Sequence, residues 1–417
     1  MRGEKGIKID KAQAMRCPFF CARAVNNNGI VNYNHYNNDG GVRPFRWIAR
    51  KSRQYAEISA SPSKERIAFP FNIMTDFEKV TSFENSYRAY RTAKRGKGYK
   101  GSSARFGTMA LDGVNILKEL LINREYRIRG YSEFKVYEPK ERVIKAGAFV
   151  DKIVQHSLCD NVLLPKLDSL FIRNNFAGQI GKGTLFGLET LKKDMLDAYT
   201  THGMNNYILK ADITKFFYNI DHEILKKLVA EQFTDDGIRW LCNLIIDSTD
   251  GKGLPLGNQT SQVFALLYLN GLDHYITETL GIQYYGRYMD DFYLIHKDKE
   301  YLKYCLKKIT EYVNELELTL NGKTQIIPFK NGIKFLGFHT YIRNGKVICK
   351  IRNENKRNAV RKYKKMAKLV AQGKLSRKEF DISYSSYKAH ASHGDCAGFL
   401  YTLDEQINEI LRGTNND

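Results

Sequence analysis

Apolar residues recur along the chain with two different periods, which predict helices in some segments and strands in others. Spacings of three and four residues predict helices at 110–124, 149–164, 261–280 and 301–316. Apolar runs, some of them alternating, predict strands at 132–137, 207–213, 318–327 and 333–342, and a pair of strands within 282–295 that turn at Met289 and Asp290. Pro165 is expected to end the second helix, and Asp221 to cap a helix after residue 213.

The order of these elements suggests a fold class. From residue 207 onward a strand, two helices, a hairpin, a helix and a strand follow one another. This order is close to the split βαβ, ferredoxin-like plan. We therefore predict an α+β fold, and a chain of 417 residues is long enough for two or three packed domains.

Residues 1–75 differ from the remainder of the chain because they show no such periodicity. The segment NNNGIVNYNHYNN at 26–38 is about half asparagine, a residue with weak helix and strand propensity. We predict poor order before about residue 60 and treat 1–75 as an extension.

Composition narrows the classes of function. Hydrophobic residues make up 43% of the chain, enough for a core. Lys and Arg number 66 against 45 Asp and Glu, a net charge of +21 that indicates a polyanionic partner. No run of eighteen apolar residues and no apolar signal core is present, which favours nucleic acid over a membrane. Seven scattered cysteines suit reduced thiols, so we expect a cytoplasmic protein.

The positive charge is concentrated in two segments. Residues 341–380 contain fourteen Lys or Arg against Glu354 and Glu379, a net +12. Apolar residues at helical spacing from Val360 to Val370 let one side of this segment pack while cations cover the other. A solvated helix face is the alternative to a surface that follows phosphates, and we favour the latter. The second segment, 88–105, is rich in Gly and Ser and predicts a loop that contacts nucleic acid, or a plain linker.

Three carboxylates carry the candidate chemistry. Asp212 ends an apolar strand, and Asp290 and Asp291 occupy the turn of the hairpin GRYMDDFYLIH. Neighbouring strands lie about 5 Å apart, so Asp212 and Asp290 could face one site. Oxygen ligands without nearby His or Cys favour Mg²⁺, or Mn²⁺ in its place, over zinc. A surface turn is the alternative for Asp-Asp alone, and the strand-borne Asp212 argues against it.

Several ordered motifs resemble those of reverse transcriptases over roughly residues 115–400. They are ADITKFFYNIDH at 211–222, GLPLGNQTSQ at 253–262, YMDD at 288–291 and KFLGF at 334–338. Leu256, Gly257, Ser261 and Gln262 resemble the pattern of diversity-generating retroelement enzymes, as do 138–156, 181–184 and 385–395. The resemblance implies a right-hand polymerase with fingers at 76–200, a ferredoxin-like palm at 201–342 and a basic helical thumb at 343–417.

The resemblance also implies roles for individual residues. Asp212, Asp290 and Asp291, helped by the backbone carbonyl of Ile213, would hold two Mg²⁺ ions. Phe217 matches the steric gate against a ribose 2′-hydroxyl, with core packing beside its neighbour as the alternative.

Further residues are implied to bind substrates. Lys140, Arg142 and Lys182 match cations that hold the nucleotide triphosphate, although exposed cations could equally be nonspecific. Lys323 matches a lysine that protonates pyrophosphate, or is a plain strand-end lysine. Gly257 would let backbone approach the template or incoming base, Gln262 would relax contacts to the templating base, and 335–338 resembles the primer grip.

The asparagine-rich segment adds a hypothesis of its own. In these retroelements the template repeat is rich in AAY codons, which encode asparagine, so residues 21–45 could be that repeat, or its edge, translated in frame. A genuine low-complexity extension is the alternative, and the two are comparable.

These expectations converge on an RNA-directed DNA polymerase that copies a template-repeat RNA into cDNA with errors at adenine. The expected partners are template RNA, a DNA or RNA primer, dNTPs and a small basic accessory protein joined through RNA, in a bacterial or phage-encoded system. The alternatives are a phage-defence enzyme, a group II intron or retron relative, and a catalytically silent RNA-binding scaffold.

Overall fold

The computed structural model describes residues 74–137 and 141–412. The predictions for residues 1–73, including the asparagine-rich segment, and for Lys140 lie outside the described residues. The helices are α1 Asp76–Thr81, α2 Phe83–Lys94, α3 Gly101–Thr108, α4 Ala110–Ile122, α5 Phe149–Leu158, α6 Leu164–Leu167, α7 Thr184–His202, α8 Phe216–Asn219, α9 His222–Gln232, α10 Asp236–Ile246, α11 Gln259–Tyr268, α12 Asn270–His274, α13 Lys299–Glu315, α14 Asn353–Ala371, α15 Arg377–Ala391 and α16 Ala397–Arg412. The strands are β1 Tyr131–Val136, β2 Arg142–Gly147, β3 Tyr207–Asp212, β4 Tyr284–Tyr288, β5 Asp291–His296, β6 Gln325–Pro328, β7 Ile333–Phe335, β8 Phe338–Arg343 and β9 Lys346–Ile351.

An antiparallel four-stranded sheet holds the candidate carboxylates. Its strand order is β4-β5-β3-β6, which is the order of the split βαβ, ferredoxin-like plan that the sequence predicts. Strands β4 and β5 form the predicted hairpin, and β3 lies beside β5 with Asp212 opposite Asp291. The end of β3, which carries Asp212, therefore meets the hairpin turn, which carries Asp290 and Asp291, at one edge of the sheet.

Alternation along β3 and β5 gives the sheet two apolar faces. On one face, Leu209 and Leu294 join a large core that includes α13. On the other face, Ile208 and Tyr293 pack with side chains of α7. Since Asp212 follows Ile208 by four residues, its side chain lies on the α7 face of the sheet.

A second antiparallel sheet, β7-β8-β9, follows in the chain. The single strand predicted at 333–342 is wrong, because Leu336 and Gly337 adopt positive φ values of 49° and 87° and turn the chain back. Strand β9 lies inside the segment predicted to be helical, and the helices begin only at Asn353. Its alternating sequence, KVICKI, buries Cys349 and Ile351.

The structure confirms one predicted helix boundary, the cap at Asp221, and corrects another, the helix end at Pro165. Asp221 caps α9 as predicted, and its carboxylate accepts hydrogen bonds from the N–H groups of Glu223 and Ile224. Pro165 does not end the predicted helix. A π-helical turn, Cys159–Leu163, precedes it, and Pro165 occupies the first turn of α6, where a missing N–H is tolerated.

The basic segment 88–105 is largely helical rather than a loop. Ser82 caps α2 through the N–H of Asn85, and Tyr90 packs its ring against Phe106 and Phe149. Aromatic packing on one side therefore orders a segment whose composition suggests a linker.

Helices α14 to α16 form a bundle with its own apolar core. Ala359, Tyr363 and Ala367 of α14 are buried in it, which confirms the helical spacing predicted there. Asp395, just before α16, accepts a hydrogen bond from the N–H of Cys349 at 2.8 Å and donates its own N–H to the carbonyl of Cys349 at 2.6 Å. This pair of bonds fastens the bundle to β9. None of the helices within 74–137 and 141–412 has the length and hydropathy to cross a bilayer.

Candidate active site

Backbone register brings the three predicted carboxylates to one edge of the sheet. Asp212 and Asp291 are direct partners on β3 and β5. Asp290 lies in the turn between β4 and β5, and its carbonyl accepts a hydrogen bond from the N–H of Ile213 at 3.2 Å. The preceding turn residue, Met289, has a φ of +56°, and Lys215, three residues after Asp212, has a φ of +46°. Left-handed conformations at residues other than glycine are uncommon and mark a constrained site.

The charges of these carboxylates are coupled. Burial raises the pKa of Asp290 to about 6, and the negative charge of Asp212 adds to the increase. Arg142 opposes it, so this predicted cation acts on the site. Burial also raises the pKa of Asp291, against the attraction of Lys210 and Arg352. Burial is therefore the main reason that ionisation of Asp290 and Asp291 is disfavoured here.

Two polar neighbours of the carboxylates were not predicted from the sequence. Lys210 forms an ion pair with Asp291, and its ammonium lies 5.4 Å from the centre of the Phe335 ring. Asn321 donates from its side chain to the carboxylate of Asp212 at 3.2 Å and from its N–H to the Asp212 carbonyl at 2.7 Å. Lys210 could have been found, because it precedes Asp212 by two residues on a strand and so shares its face.

A cavity of about 580 Å³ opens beside Asp212 and Asp291. Lys323 is exposed and lines it, so the structure places this predicted residue near the carboxylates. Phe335, Leu336 and Gly337 form part of its wall, although Phe335 is only 1% exposed, and Phe338 is fully buried. The apolar rings of the segment resembling a primer grip therefore pack in the core.

Cations extend from this cavity toward α14. A neighbouring cavity of about 480 Å³ shares Lys334 and Arg352 with the first. Its other cationic lining residues are Lys330, Lys350, Lys356 and Arg357. Together they form a cationic track that begins at the carboxylates and ends on the basic face of α14.

Other predicted residues lie in different surroundings. The ammonium of Lys182 donates to the carbonyl of Ile172 at 3.1 Å, and burial lowers its pKa against the attraction of Asp168 and Asp273. Lys182 thus interacts with Ile172, Asp168 and Asp273 rather than with the three carboxylates. Gln262 is exposed on α11.

Gly257 and Phe217 occupy positions that their residue types explain. Gly257 has a φ of +121°, and a Cβ there would lie 3.4 Å from the carbonyl of Lys145 on β2. Phe216 is 1% exposed and belongs to the core, whereas Phe217 is half-buried. Of the two rings, Phe217 is the one that a ligand can reach.

The donor chemistry of the edge suits a hard divalent cation. Within the described ranges, no three His, Cys, Asp or Glu side chains already stand in a metal-holding arrangement. Asp212, Asp290 and Asp291 nevertheless supply only oxygen donors, and burial and the charge of Asp212 penalise ionisation of Asp290 and Asp291. A bound divalent cation would relieve both penalties, so these residues fit such an ion.

Comparison with known protein families gives a match over the part of the chain that contains this edge. Residues 141–340 match the family model described as reverse transcriptase (RNA-dependent DNA polymerase). No curated protein matches the chain.

Similar solved structures include two telomerases. One is telomerase from Candida albicans in complex with a TWJ fragment of telomeric RNA, at 15% identity and a TM-score of 0.43, covering 70% of this chain and 60% of that one. Another is apo telomerase from Candida tropicalis, at 16% identity and a TM-score of 0.41, covering 69% of this chain and 64% of that one. This chain therefore spans less than two thirds of the length of either structure.

Proposed function

We propose that this protein, whose residues 141–340 match the reverse transcriptase family model, is an RNA-directed DNA polymerase, a nucleotidyltransferase. The observation that carries the proposal is the pairing of Asp212 with Asp291 across β3 and β5, with Asp290 in the adjoining turn. In this proposal the four-stranded sheet is the palm, the elements before it the fingers, and α14 to α16 the thumb.

The carboxylates would hold the catalytic metal. Enzymes with this domain generally use divalent ions, and Asp212, Asp290 and Asp291, with the carbonyl of Ile213, would hold two Mg²⁺. When bound, such ions activate a primer 3′-hydroxyl and stabilise the leaving pyrophosphate. Lys210 holds the carboxylate of Asp291 in place through its ion pair.

The protein's own cations would bind and orient the phosphates. Arg142 acts electrostatically on Asp290 from β2, so it can face the triphosphate of a nucleotide bound there. Lys323 stands exposed in the cavity and can donate a proton to the departing pyrophosphate. The cationic track would follow the phosphates of primer and template, so RNA affinity should fall steeply with added salt.

Selection of the sugar would depend on Phe217. Phe217 follows Asp212 by five residues. Its ring packs at an angle of 60° against the buried ring of Phe216, which limits its movement. The N–H of Leu254 donates to the Phe217 carbonyl at 2.7 Å, which fixes the backbone too. A rigid ring at this place can exclude a 2′-hydroxyl by contact.

The substrate we propose is a template-repeat RNA copied with errors at adenine, for targeted gene diversification. The support is the motif 253–262, in which Gly257 approaches β2 and Gln262 is exposed. Gly257 has no side chain to contact the templating base, and Gln262 offers only an amide. Together they would leave that base loosely held.

Primer extension tests the polymerase proposal. With RNA template, DNA primer, dNTPs and Mg²⁺, the wild type should extend the primer, and Asp290→Asn should lower the rate by roughly 1,000-fold or more, since it removes a charge without changing shape. Asp250→Asn, in an exposed loop, makes the same change of charge elsewhere and should leave the rate unaltered. Extension by Asp290→Asn at the control's rate would exclude this site.

A further inference from the structure

A fully buried ion pair lies directly behind the carboxylate-bearing turn. Arg287 of β4 and Asp273 of α12 are both 0% exposed. The Nε of Arg287 donates to Oδ1 of Asp273 at 2.6 Å, and its Nη2 donates to Oδ2. The hydroxyl of Tyr285 donates to the same Oδ1 at 2.6 Å. Removing two such charges from water is costly, and only close geometry and additional hydrogen bonds of the kind seen here offset that cost.

The main chain of Arg287 is fixed as firmly as its side chain. Its N–H donates to the carbonyl of Asn174 at 3.0 Å, and its carbonyl accepts from the N–H of Phe176 at 2.9 Å. The side-chain amide of Asn174 also donates to the carbonyl of Tyr285 at 2.7 Å. Arg287 is therefore a rigid point on the hairpin, held by a neighbouring segment on one side and by α12 on the other.

The third guanidinium nitrogen of Arg287, Nη1, reaches into the turn. Its Nη1 donates to the carbonyl of Met289 at 2.9 Å, which is the peptide group that leads into Asp290. Met289 has a φ of +56°, a conformation that a methionine adopts only when its surroundings impose it. On the far side of the turn, the Asp290 carbonyl is held by the N–H of Ile213. The two peptide groups that flank the Asp290 side chain are thus each fixed by one hydrogen bond.

We propose that Arg287, oriented by Asp273, is a positioning residue that holds Met289 in its left-handed conformation and so aims the Asp290 carboxylate into the site. This inference rests on the proposed function. Without the bond to Met289, the turn relaxes toward ordinary φ values, and the Asp290 carboxylate departs from the edge that it shares with Asp212 and Asp291.

The competing interpretation is that the pair only attaches α12 to β4. Replacing a buried ion pair by uncharged side chains is often neutral for stability, whereas removing one partner leaves a costly lone charge. The double variant Arg287→Met with Asp273→Asn therefore removes the bond to Met289 while leaving no buried charge, and the amide introduced in place of the Asp273 carboxylate can still accept from Tyr285. Arg287→Lys is the second variant, because it keeps the buried charge pair but a single ammonium cannot span Asp273 and the Met289 carbonyl.

Three measurements on the full chain separate the two interpretations. Thermal unfolding reports stability, primer extension gives kcat and the KM for dNTP, and binding of Mn²⁺ alone reports the carboxylates without turnover. Tyr126→Phe is the matched control, since it removes a buried hydrogen bond of 2.6 Å to Asp151 away from this sheet. Both Arg287 variants should melt near the control and keep the KM within about two-fold, yet lose roughly 10- to 100-fold in kcat. Their Mn²⁺ affinity should weaken roughly ten-fold.

Wild-type kcat and Mn²⁺ affinity in a double variant that melts near the control would overturn the proposal. If the double variant fails to fold, Arg287→Lys decides by the same two measurements. Should the wild type extend no primer at all, the proposed function fails, and the Mn²⁺ comparison still shows whether Arg287 positions the carboxylates.

Discussion

The buried pair of Asp194 and Tyr293 predicts an unusual dependence of stability on pH. Asp194 of α7 is 8% exposed, and its carboxylate accepts a hydrogen bond from the Tyr293 hydroxyl at 2.7 Å. Burial raises the pKa of Asp194 from its ordinary 3.8 to about 7, and the hydrogen bond from Tyr293 opposes this only in part. Tyr293 follows Asp291 by two residues on β5, so the pair fastens α7 to the strand that bears the carboxylate.

The sign and size of the effect follow from linkage. Because the folded state holds the proton more tightly than the unfolded state, the contribution of Asp194 is fully present below about pH 4. It is lost as pH rises through about 7. One pKa unit is about 1.4 kcal/mol, so the loss between pH 5 and pH 8 is roughly 2–3 kcal/mol. Asp194→Asn cannot ionise and still accepts from Tyr293, so it should escape this loss.

Thermal unfolding of wild type and Asp194→Asn at pH 5 and pH 8 tests this expectation. The variant should melt at or slightly below the wild type at pH 5 and above it at pH 8, a relative change of roughly 5 °C. Glu189→Gln, an exposed position on the same helix, controls for the loss of one acidic group and should show no such crossover. An equal difference in melting temperature between Asp194→Asn and wild type at both pH values would refute the reasoning.

Two further predictions concern the sugar gate and a strained turn. Phe217→Ala should admit ribonucleotides and raise their relative incorporation by roughly 10-fold or more, because the side chain that excludes the 2′-hydroxyl is lost. Tyr218→Ala, at the exposed neighbouring position, should leave sugar selection unchanged. If Phe217→Ala also leaves sugar selection unchanged in primer extension, Phe217 is not the gate. Gly253→Ala should cost about 2–3 kcal/mol in unfolding measurements, because φ is +85° and a Cβ would lie 2.7 Å from the Tyr218 carbonyl. Gly251→Ala shares a positive φ but meets no atom within 4 Å, so a cost equal to that of Gly253→Ala would show that the close contact contributes nothing.

The sequence was sufficient to predict the hairpin and its partner strand. Asp290 and Asp291 interrupt an apolar run with a turn, and the strand ending at Asp212 carries the matching apolar pattern. Strand order and register then follow from burying both sets of apolar residues. The helical spacing within α14 was predicted for the same reason.

Features that depend on partners distant in the chain were missed. The local sequence is enough to place Lys210 on the face of Asp212, but its ion-pair partner Asp291 lies 81 residues away and only the fold shows that they meet. Asp273 and Arg287 each interrupt an apolar stretch, a sign that could have marked a buried pair, but only the fold shows that they meet. Strand β9 was overlooked because its lysines were attributed to the basic segment as a whole, although its alternation is plain.

The left-handed residues near the carboxylates have a consequence for laboratory evolution. Lys215, Met289 and Leu336 each adopt a conformation that glycine or asparagine would accept with less strain. Selection for heat tolerance should therefore favour glycine or asparagine at these three places. At Met289 either residue keeps the left-handed conformation, so the aim of the Asp290 carboxylate should be preserved. A library varied at residue 289 and sorted for heat tolerance ought therefore to retain copying activity in its glycine and asparagine members.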